Sequence, residues 1–375
     1  PDSPTGRMLA HPLPHTGTPQ RRVKLNDPEL KTLVFRGVHA RNLQIDEITV
    51  PLQRFTVVTG VSGSGKSTFC REVLFENLSR RLKDAQAPLV GTDQLTGFEN
   101  VGRVLEVDQT PIGKNSRSCP ATYVGIMTAI RDLYAATNEA QARGYDASRF
   151  SFNKAVGACP VCAGQGLRTV EMNFLPDVKV LCEACAGKRF NPETLEVLWR
   201  GKSIGDVLEM EIDEAVDFFA SMPSIAYPLK LMQDVGLGYL TLGQPSPTLS
   251  GGEAQRLKLV TELAKVRTDG SFAARAPHTL YVLDEPTVGL HMTDVDRLSK
   301  VLSRLVDAGS TVVVIEHNLD IAADADWIID LGPEGGAKGG KVVAQGSPKM
   351  VARKNTATGI VLRAFLAEHK PVKST

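Results

Sequence analysis

Phe55-Thr56-Val57-Val58-Thr59 runs straight into Gly60-Val61-Ser62-Gly63-Ser64-Gly65-Lys66-Ser67-Thr68, and Thr68 to Leu82 reads as a helix. A buried-type strand, a glycine-rich turn and a helix in that order form the setting of a phosphate loop. Without Cβ atoms in the way, a glycine-rich turn can point several backbone N–H groups inward, and the next helix adds its positive end. Gly60, Ser62, Gly63, Ser64, Gly65 and Thr68 are therefore expected to cradle the phosphates of a nucleotide. Lys66 is expected to reach the β- and γ-phosphates and Ser67 to hold Mg²⁺ through its hydroxyl. The competing reading is a glycine-rich turn that binds nothing.

A second apolar strand, Leu280-Tyr281-Val282-Leu283, ends in Asp284-Glu285-Pro286. Asp284 is expected to bind Mg²⁺ and Glu285 to polarise the attacking water. Thr311–Ile315 is another unbroken β run, and with Val295–Val306 as a helix between the two it predicts a βαβ unit of central parallel strands. His317 follows that run and is placed to touch the γ-phosphate, although a lone histidine is more often structural. Gln109 follows the strand Val104–Asp108 and is placed to sense Mg²⁺ or the attacking water. Ser250 and Glu253 form an S-x-x-E capping box, after which Ala254, Leu257, Val260 and Ala264 recur at helical spacing. Strands are also predicted within Val34–Leu52, and helices over Ala121–Ala136, Ile204–Phe219 and Leu229–Val235.

Cys159, Cys162, Cys182 and Cys185 have the pattern C-x₂-C-x₁₉-C-x₂-C. Two tight turns, each offering two thiolates, complete a tetrahedron, so the four residues predict a structural Zn²⁺ site. The bland alternative is four reduced thiols without metal. Gly164, Gly166 and Gly187 supply the turns. Between the pairs, Val170, Met172 and Phe174 alternate with Glu171 and Asn173 before Pro176-Asp177, which predicts a hairpin within Arg168–Val180. That hairpin reads equally as a probe that touches DNA and as a brace against the body of the protein.

The chain has 375 residues, 42% of them hydrophobic, and a formal net charge of +1. That supports two or three compact units and leaves no global field to draw in nucleic acid, so such contact must rest on local patches. Lys114, Arg117 and Arg131 are candidates for phosphate contact or ordinary solvated charges. No apolar run approaches the roughly 20 residues a membrane span needs, so no membrane partner is expected. A nucleotide loop without a secretory leader predicts cytoplasmic localisation with reduced cysteines. Residues 1–28 lack periodicity and read as a linker or tail. Pro1 in place of Met predicts a processed chain or a segment of a longer one.

Leu249-Ser250-Gly251-Gly252-Glu253-Ala254-Gln255-Arg256 resembles the signature of ATP-binding-cassette (ABC) ATPases. The phosphate loop, Asp284-Glu285-Pro286-Thr287 and His317 extend that resemblance. It implies an α/β ABC-type P-loop ATPase head with a mixed/parallel sheet, a helical signature domain and an inserted zinc-binding module. The ATP-binding core would comprise 29–110 and 273–375, the signature domain 111–148 and 203–272, and the zinc insertion 149–202. In that superfamily two heads sandwich two ATP molecules, which implies that Ser250, Gly251 and Gly252 act in trans on the other head's phosphates.

Thr59–Thr68, Val314-Ile315-Glu316-His317-Asn318-Leu319-Asp320, Ala325–Gly336, Asp108-Gln109-x-Pro111-Ile112-Gly113 and the cysteine module with Phe174–Val178 resemble the UvrA family of bacterial nucleotide excision repair. The resemblance runs from about Arg36 to Leu362. That family carries two heads in one chain, and the single motif set here resembles the second, C-terminal one. The resemblance implies ATP hydrolysis with Mg²⁺, bound Zn²⁺ and double-stranded, especially damaged, DNA as a partner. It further implies a second ABC head in the parent chain or a UvrA homodimer, with UvrB in the full system. The alternatives are a UvrA-like drug-resistance paralogue, an ABC-type ATPase that remodels a protein or ribosomal partner, and a zinc-stapled scaffold that hydrolyses nothing.

Overall fold

The computed structural model describes Ser3, Gly6 and residues 29–369, apart from Lys114, Glu171, 173–177 and 266–277. The predicted tail apart from Ser3 and Gly6, Lys114, and the hairpin residues Glu171 and Asn173 to Asp177 thus lie outside the described residues. The chain divides into two compact units, Pro1–Asp108 with Val266–Thr375, and Gln109–Lys265.

Among the described residues, nine strands build the first unit: β1 (Thr32–Val38), β2 (Ile45–Pro51), β3 (Phe55–Gly60), β4 (Thr92–Thr96), β5 (Arg103–Val107), β6 (Thr279–Asp284), β7 (Thr311–Ile315), β8 (Trp327–Gly332) and β9 (Lys341–Gly346). β2, β1 and β4 form an antiparallel sheet in that order. The remaining six form a mixed sheet, ordered β9-β8-β3-β7-β6-β5, in which only the β8–β9 pairing is antiparallel. β3 and β7 are buried at every residue, as central parallel strands covered on both faces must be. Register aligns Asp284 with Ile315, and Ile315 with Val58. The phosphate loop, Asp284-Glu285 and Glu316-His317 therefore leave the sheet at one carboxyl edge, where open α/β sheets bind ligands.

The helix after the phosphate loop starts as a π-helix, Thr68–Phe75, and continues as an α-helix, Glu76–Arg81. Glu76 donates its N–H to Arg71 O, five residues back, a widened winding that apolar spacing alone does not reveal. Its Phe69, Val73, Leu74 and Leu78 pack with Phe35, Val58, Val313 and Ile329 in one core. Phe35 and Phe69 meet edge to face at 5.9 Å. Met292–Asp307 is the helix joining β6 to β7, with Val295, Leu298, Leu302 and Leu305 buried.

The second unit is mainly helical. The helix predicted over Ala121–Ala136 is two pieces, Pro120–Val124 and Ile126–Ala135, because Gly125 turns left-handed at φ 92°. Ile204–Phe219 likewise breaks into Ile204–Glu209 and Ile212–Phe218, with Met210 extended between them. The third helix starts earlier than predicted, at Pro223, where a proline suits the first turn, and runs through Pro228 to Asp234. Leu167–Val170 pairs antiparallel with Val178–Leu181 between the two cysteine pairs. Among the described residues no helix is long and apolar enough to cross a membrane.

Phe69→Ala should lower the unfolding free energy of the first unit by about 3–5 kcal/mol, the usual cost of emptying a phenylalanine site in a packed core. Equilibrium urea unfolding reads this, and an unshifted midpoint would contradict the assigned core.

Candidate nucleotide and metal sites

The fully buried β3 delivers the phosphate loop. Gly60, Gly63 and Gly65 all have positive φ, at 136°, 74° and 99°. A Cβ on Gly60 would lie 2.1 Å from Leu331 O, so the neighbouring strand enforces glycine there. Lys66 is only 7% exposed, and its Nζ donates to Gly60 O and Val61 O at 3.0 Å each. Burial pushes its pKa down, while Glu285 and Asp284 work in the opposite direction. Ser64 Oγ is buried with no hydrogen-bond partner. Ser67 is exposed and Thr68 half-buried at the start of the helix.

Asp284 ends β6 half-buried. Burial raises its pKa and Glu285 adds to the rise, whereas Arg71 and Lys66 oppose it. Arg71 Nη2 lies 3.2 Å from Asp284 Oδ2, and Arg71 Nε lies 2.6 Å from Glu106 Oε1. Glu285 adopts a left-handed backbone, φ 45°, and donates its N–H to Ile315 O at 2.9 Å. Such a conformation costs a non-glycine residue about 1–3 kcal/mol and persists where the surroundings over-determine it. His317 Nε2 lies 3.6 Å from Glu285 Oε1. Lys66, Asp284, Glu285 and His317 are thus brought to one edge of the sheet.

In the second unit, Ser250 caps the helix Gly251–Leu263. Its Oγ accepts from Glu253 N–H at 3.3 Å, and Glu253 Oε2 accepts from Ser250 N–H at 2.7 Å. Gly251 and Gly252 form the first turn. Gln109 packs on that turn, since a Cβ built on Gly251 would lie 3.1 Å from Gln109 Cβ. Lys258 Nζ anchors the same loop by donating to Thr110 Oγ1 at 2.7 Å. Arg117 Nη2 donates to Ala163 O at 2.9 Å, and Arg131 Nη2 to Thr128 Oγ1 at 3.1 Å.

Cys159, Cys162, Cys182 and Cys185 are buried, with their sulfurs all within 4.8 Å of one another. Cys159 to Cys182 spans 4.0 Å and Cys162 to Cys185 spans 3.7 Å. These are too long for disulfides, whereas a tetrahedron of ~2.3 Å Zn–S bonds has edges of ~3.8 Å. The two pairs share one turn design. Ala163-Gly164 and Ala186-Gly187 are left-handed, while Gln165 and Lys188 donate their N–H groups to Cys162 O and Cys185 O. Gly166 N–H also points at Cys162 Sγ, at 3.3 Å. The donor set and its geometry fit zinc.

No protein-family profile matches the chain. It is 55% identical over 349 residues to UvrABC system protein A of Thermus thermophilus, covering 93% of this chain and 35% of that protein. Against UvrABC system protein A of Bacillus subtilis the identity is 49% over 375 residues, covering 99% and 38%. The crystal structure of UvrA2 from Deinococcus radiodurans matches with a TM-score of 0.83 at 46% identity, over 98% of this chain and 43% of that one. This chain belongs to the UvrA family. Its fold is that of the matched part of UvrA2, and the chain spans little more than a third of the length of these curated relatives.

Within this UvrA head, three residues that the motifs did not single out hold the site in shape. Glu316 is buried, and its carboxylate accepts from Thr287 N–H at 2.9 Å, His317 N–H at 2.9 Å and Asn318 N–H at 3.1 Å. One side chain thus fixes both the turn after Glu285 and the backbone of His317. Asn42 Nδ2 donates to Gly63 O and Gly336 O at 3.1 Å each, and Gly336 N–H also reaches Gly63 O, so the segment after β8 braces the phosphate loop. Tyr239 donates its hydroxyl to Glu253 Oε1 at 2.5 Å. Burial and that carboxylate push the phenol up to about 12. Burial works against the charge on Glu253, but hydrogen bonds from Tyr239 and Ser250 prevail and hold its pKa below the ordinary value. Glu316 sits inside a motif quoted from the sequence, whereas Asn42 and Tyr239 carried no local signal.

Glu316→Gln places an NH₂ donor against backbone N–H groups. It should destabilise the first unit by about 1–3 kcal/mol and speed amide exchange at Thr287, His317 and Asn318. Unchanged exchange at those three amides would refute this role.

Proposed function

We propose that this chain is the ATP-hydrolysing, C-terminal head of a UvrA-type DNA damage recognition protein in nucleotide excision repair. The observation that carries the reading is the convergence of Lys66, Asp284, Glu285 and His317 on one sheet edge beside a glycine-rich loop. Lys66 exchanges its two carbonyl partners for β- and γ-phosphate oxygens, and Gly60 to Thr68 wrap the phosphates. Ser67 and Asp284 are the residues that would hold Mg²⁺, which when bound neutralises charge across the β- and γ-phosphates. Arg71 then gives up Asp284 and keeps Glu106. Glu285 polarises the attacking water, His317 touches the γ-phosphate, and Gln109 senses the metal or the water.

Ser250, Gly251 and Gly252 face the phosphates of a second head, in the parent chain or in a UvrA homodimer, so closure of paired heads follows ATP binding. The four cysteines hold structural Zn²⁺, and the hairpin between them, with Arg117 and Arg131, faces damaged double-stranded DNA. UvrB is the partner in the full system, and the compartment is the cytoplasm.

Glu285→Gln should lower ATP turnover about 10²-fold or more while leaving ATP affinity within about threefold. Turnover equal to wild type would remove Glu285 from the chemistry. Elemental analysis should find about one zinc per chain, lost on replacing Cys182 by Ala. Duplex DNA retention, measured at low salt with and without ATP on the full-length parent, tests the partner. No binding in either state sinks the DNA reading.

A further inference from the structure

Arg189 lies four residues after Cys185 and is only 4% exposed. Its backbone is left-handed, φ 72°. Its carbonyl accepts from Cys159 N–H at 2.9 Å, and its own N–H is directed at Cys185. The residue therefore ties one cysteine pair to the other. Its guanidinium then leaves the cysteine module altogether. Nη1 donates to Ser116 O at 2.8 Å, Nη2 donates to Gly243 O at 2.6 Å, and the plane lies 5.1 Å from the centre of the Phe152 ring.

Those two carbonyls belong to segments with a destination. Ser116 follows Gln109 along one loop, and Gly243 precedes the signature serine, Ser250, along another. The two segments are joined to each other. Ser246 N–H donates to Ser118 O at 2.8 Å, and Ser246 Oγ to Ser118 Oγ at 2.9 Å. Ser116 Oγ donates to Gln165 Oε1 at 3.3 Å and Arg117 reaches Ala163 O, so the same loop is also tied to the first cysteine turn.

A buried guanidinium normally faces a carboxylate, because an uncompensated charge away from water costs several kcal/mol. Burial pushes the Arg189 pKa down, and its guanidinium is taken up by the Ser116 and Gly243 carbonyls and the Phe152 face.

We propose that Arg189 is a positioning residue, a buried strut that ties the cysteine cluster to the loop after Gln109 and to the approach to Ser250. This inference rests on the zinc reading above. Loading and unloading of the metal then changes how firmly residues 115–118 and 243–250 are held.

The test is amide hydrogen exchange on the whole chain, with and without a zinc chelator, beside the rate of zinc release to a chromogenic chelator. In the wild type, metal removal should raise exchange across 115–118 and 243–250. Arg189→Met removes both donors, so it should release zinc about tenfold faster and already show raised exchange at 243–250 with zinc bound. Arg189→Lys cannot span two carbonyls and should loosen 243–250 as well. Exchange in β3 and β7 reports whether each variant folds. A wild-type chain without zinc sinks the metal reading itself. A zinc-loaded chain whose 243–250 segment responds neither to chelation nor to Arg189→Lys overturns the coupling alone.

Discussion

Desolvation of a single ammonium, that of Lys66, sets the terms for the glycine-rich loop and the sheet edge around it. The glycine-rich loop folds around it, its Nζ is left with two loop carbonyls, and Asp284 and Glu285 stand close enough to oppose the loss of charge. Carbonyl dipoles and half-exposed carboxylates only partly replace water around a buried cation. Phosphate oxygens would replace it far better. The six-stranded sheet makes this possible. Parallel register brings β3, β6 and β7 to the same edge, so the glycine-rich loop, Asp284 and Glu285 are neighbours although some 220 residues of sequence separate Lys66 from Asp284.

Local chemistry was legible in the sequence. The phosphate loop, the β6 tip, the Ser250 capping box and the paired cysteines each occupy a few consecutive residues whose types dictate their geometry. Central strands were legible too, because a strand covered on both faces must be apolar throughout. Helix continuity was less so. Apolar spacing crosses Gly125 without interruption, yet one left-handed glycine turns the chain there. The widened winding after Thr68 left no trace, since π and α turns demand nearly the same apolar face. Asn42, Tyr239 and Arg189 were invisible for a different reason. Each acts on groups between 14 and 294 positions away in the chain, so only the folded topology gives them meaning.

Two of the buried cations, Lys66 and Arg189, answer the same problem in opposite ways. Lys66 is held by dipoles that a ligand could displace. Arg189 spreads its charge over a rigid fork with two carbonyls and an aromatic face. A displaceable ammonium belongs where substrate comes and goes, and a fixed guanidinium belongs where two segments must stay in register.

Ser250 meets two demands at one helix start. A hydroxyl offers one donor and two acceptor positions. The cap uses Ser250 Oγ as an acceptor of Glu253 N–H, while Glu253, steadied by Tyr239, takes the Ser250 N–H in return. The Ser250 side chain also bonds the Glu253 carboxylate, so its hydroxyl is engaged in the cap as donor and as acceptor. An anion from outside would meet the positive end of the Gly251–Leu263 helix, and the hydroxyl would turn to it by leaving Glu253. A residue that could only cap, such as Asp, would repel phosphate at that position. One that could only donate, such as Lys, would leave the helix start uncapped. Serine followed by two glycines meets both demands, which gives the signature's opening residues a physical reason.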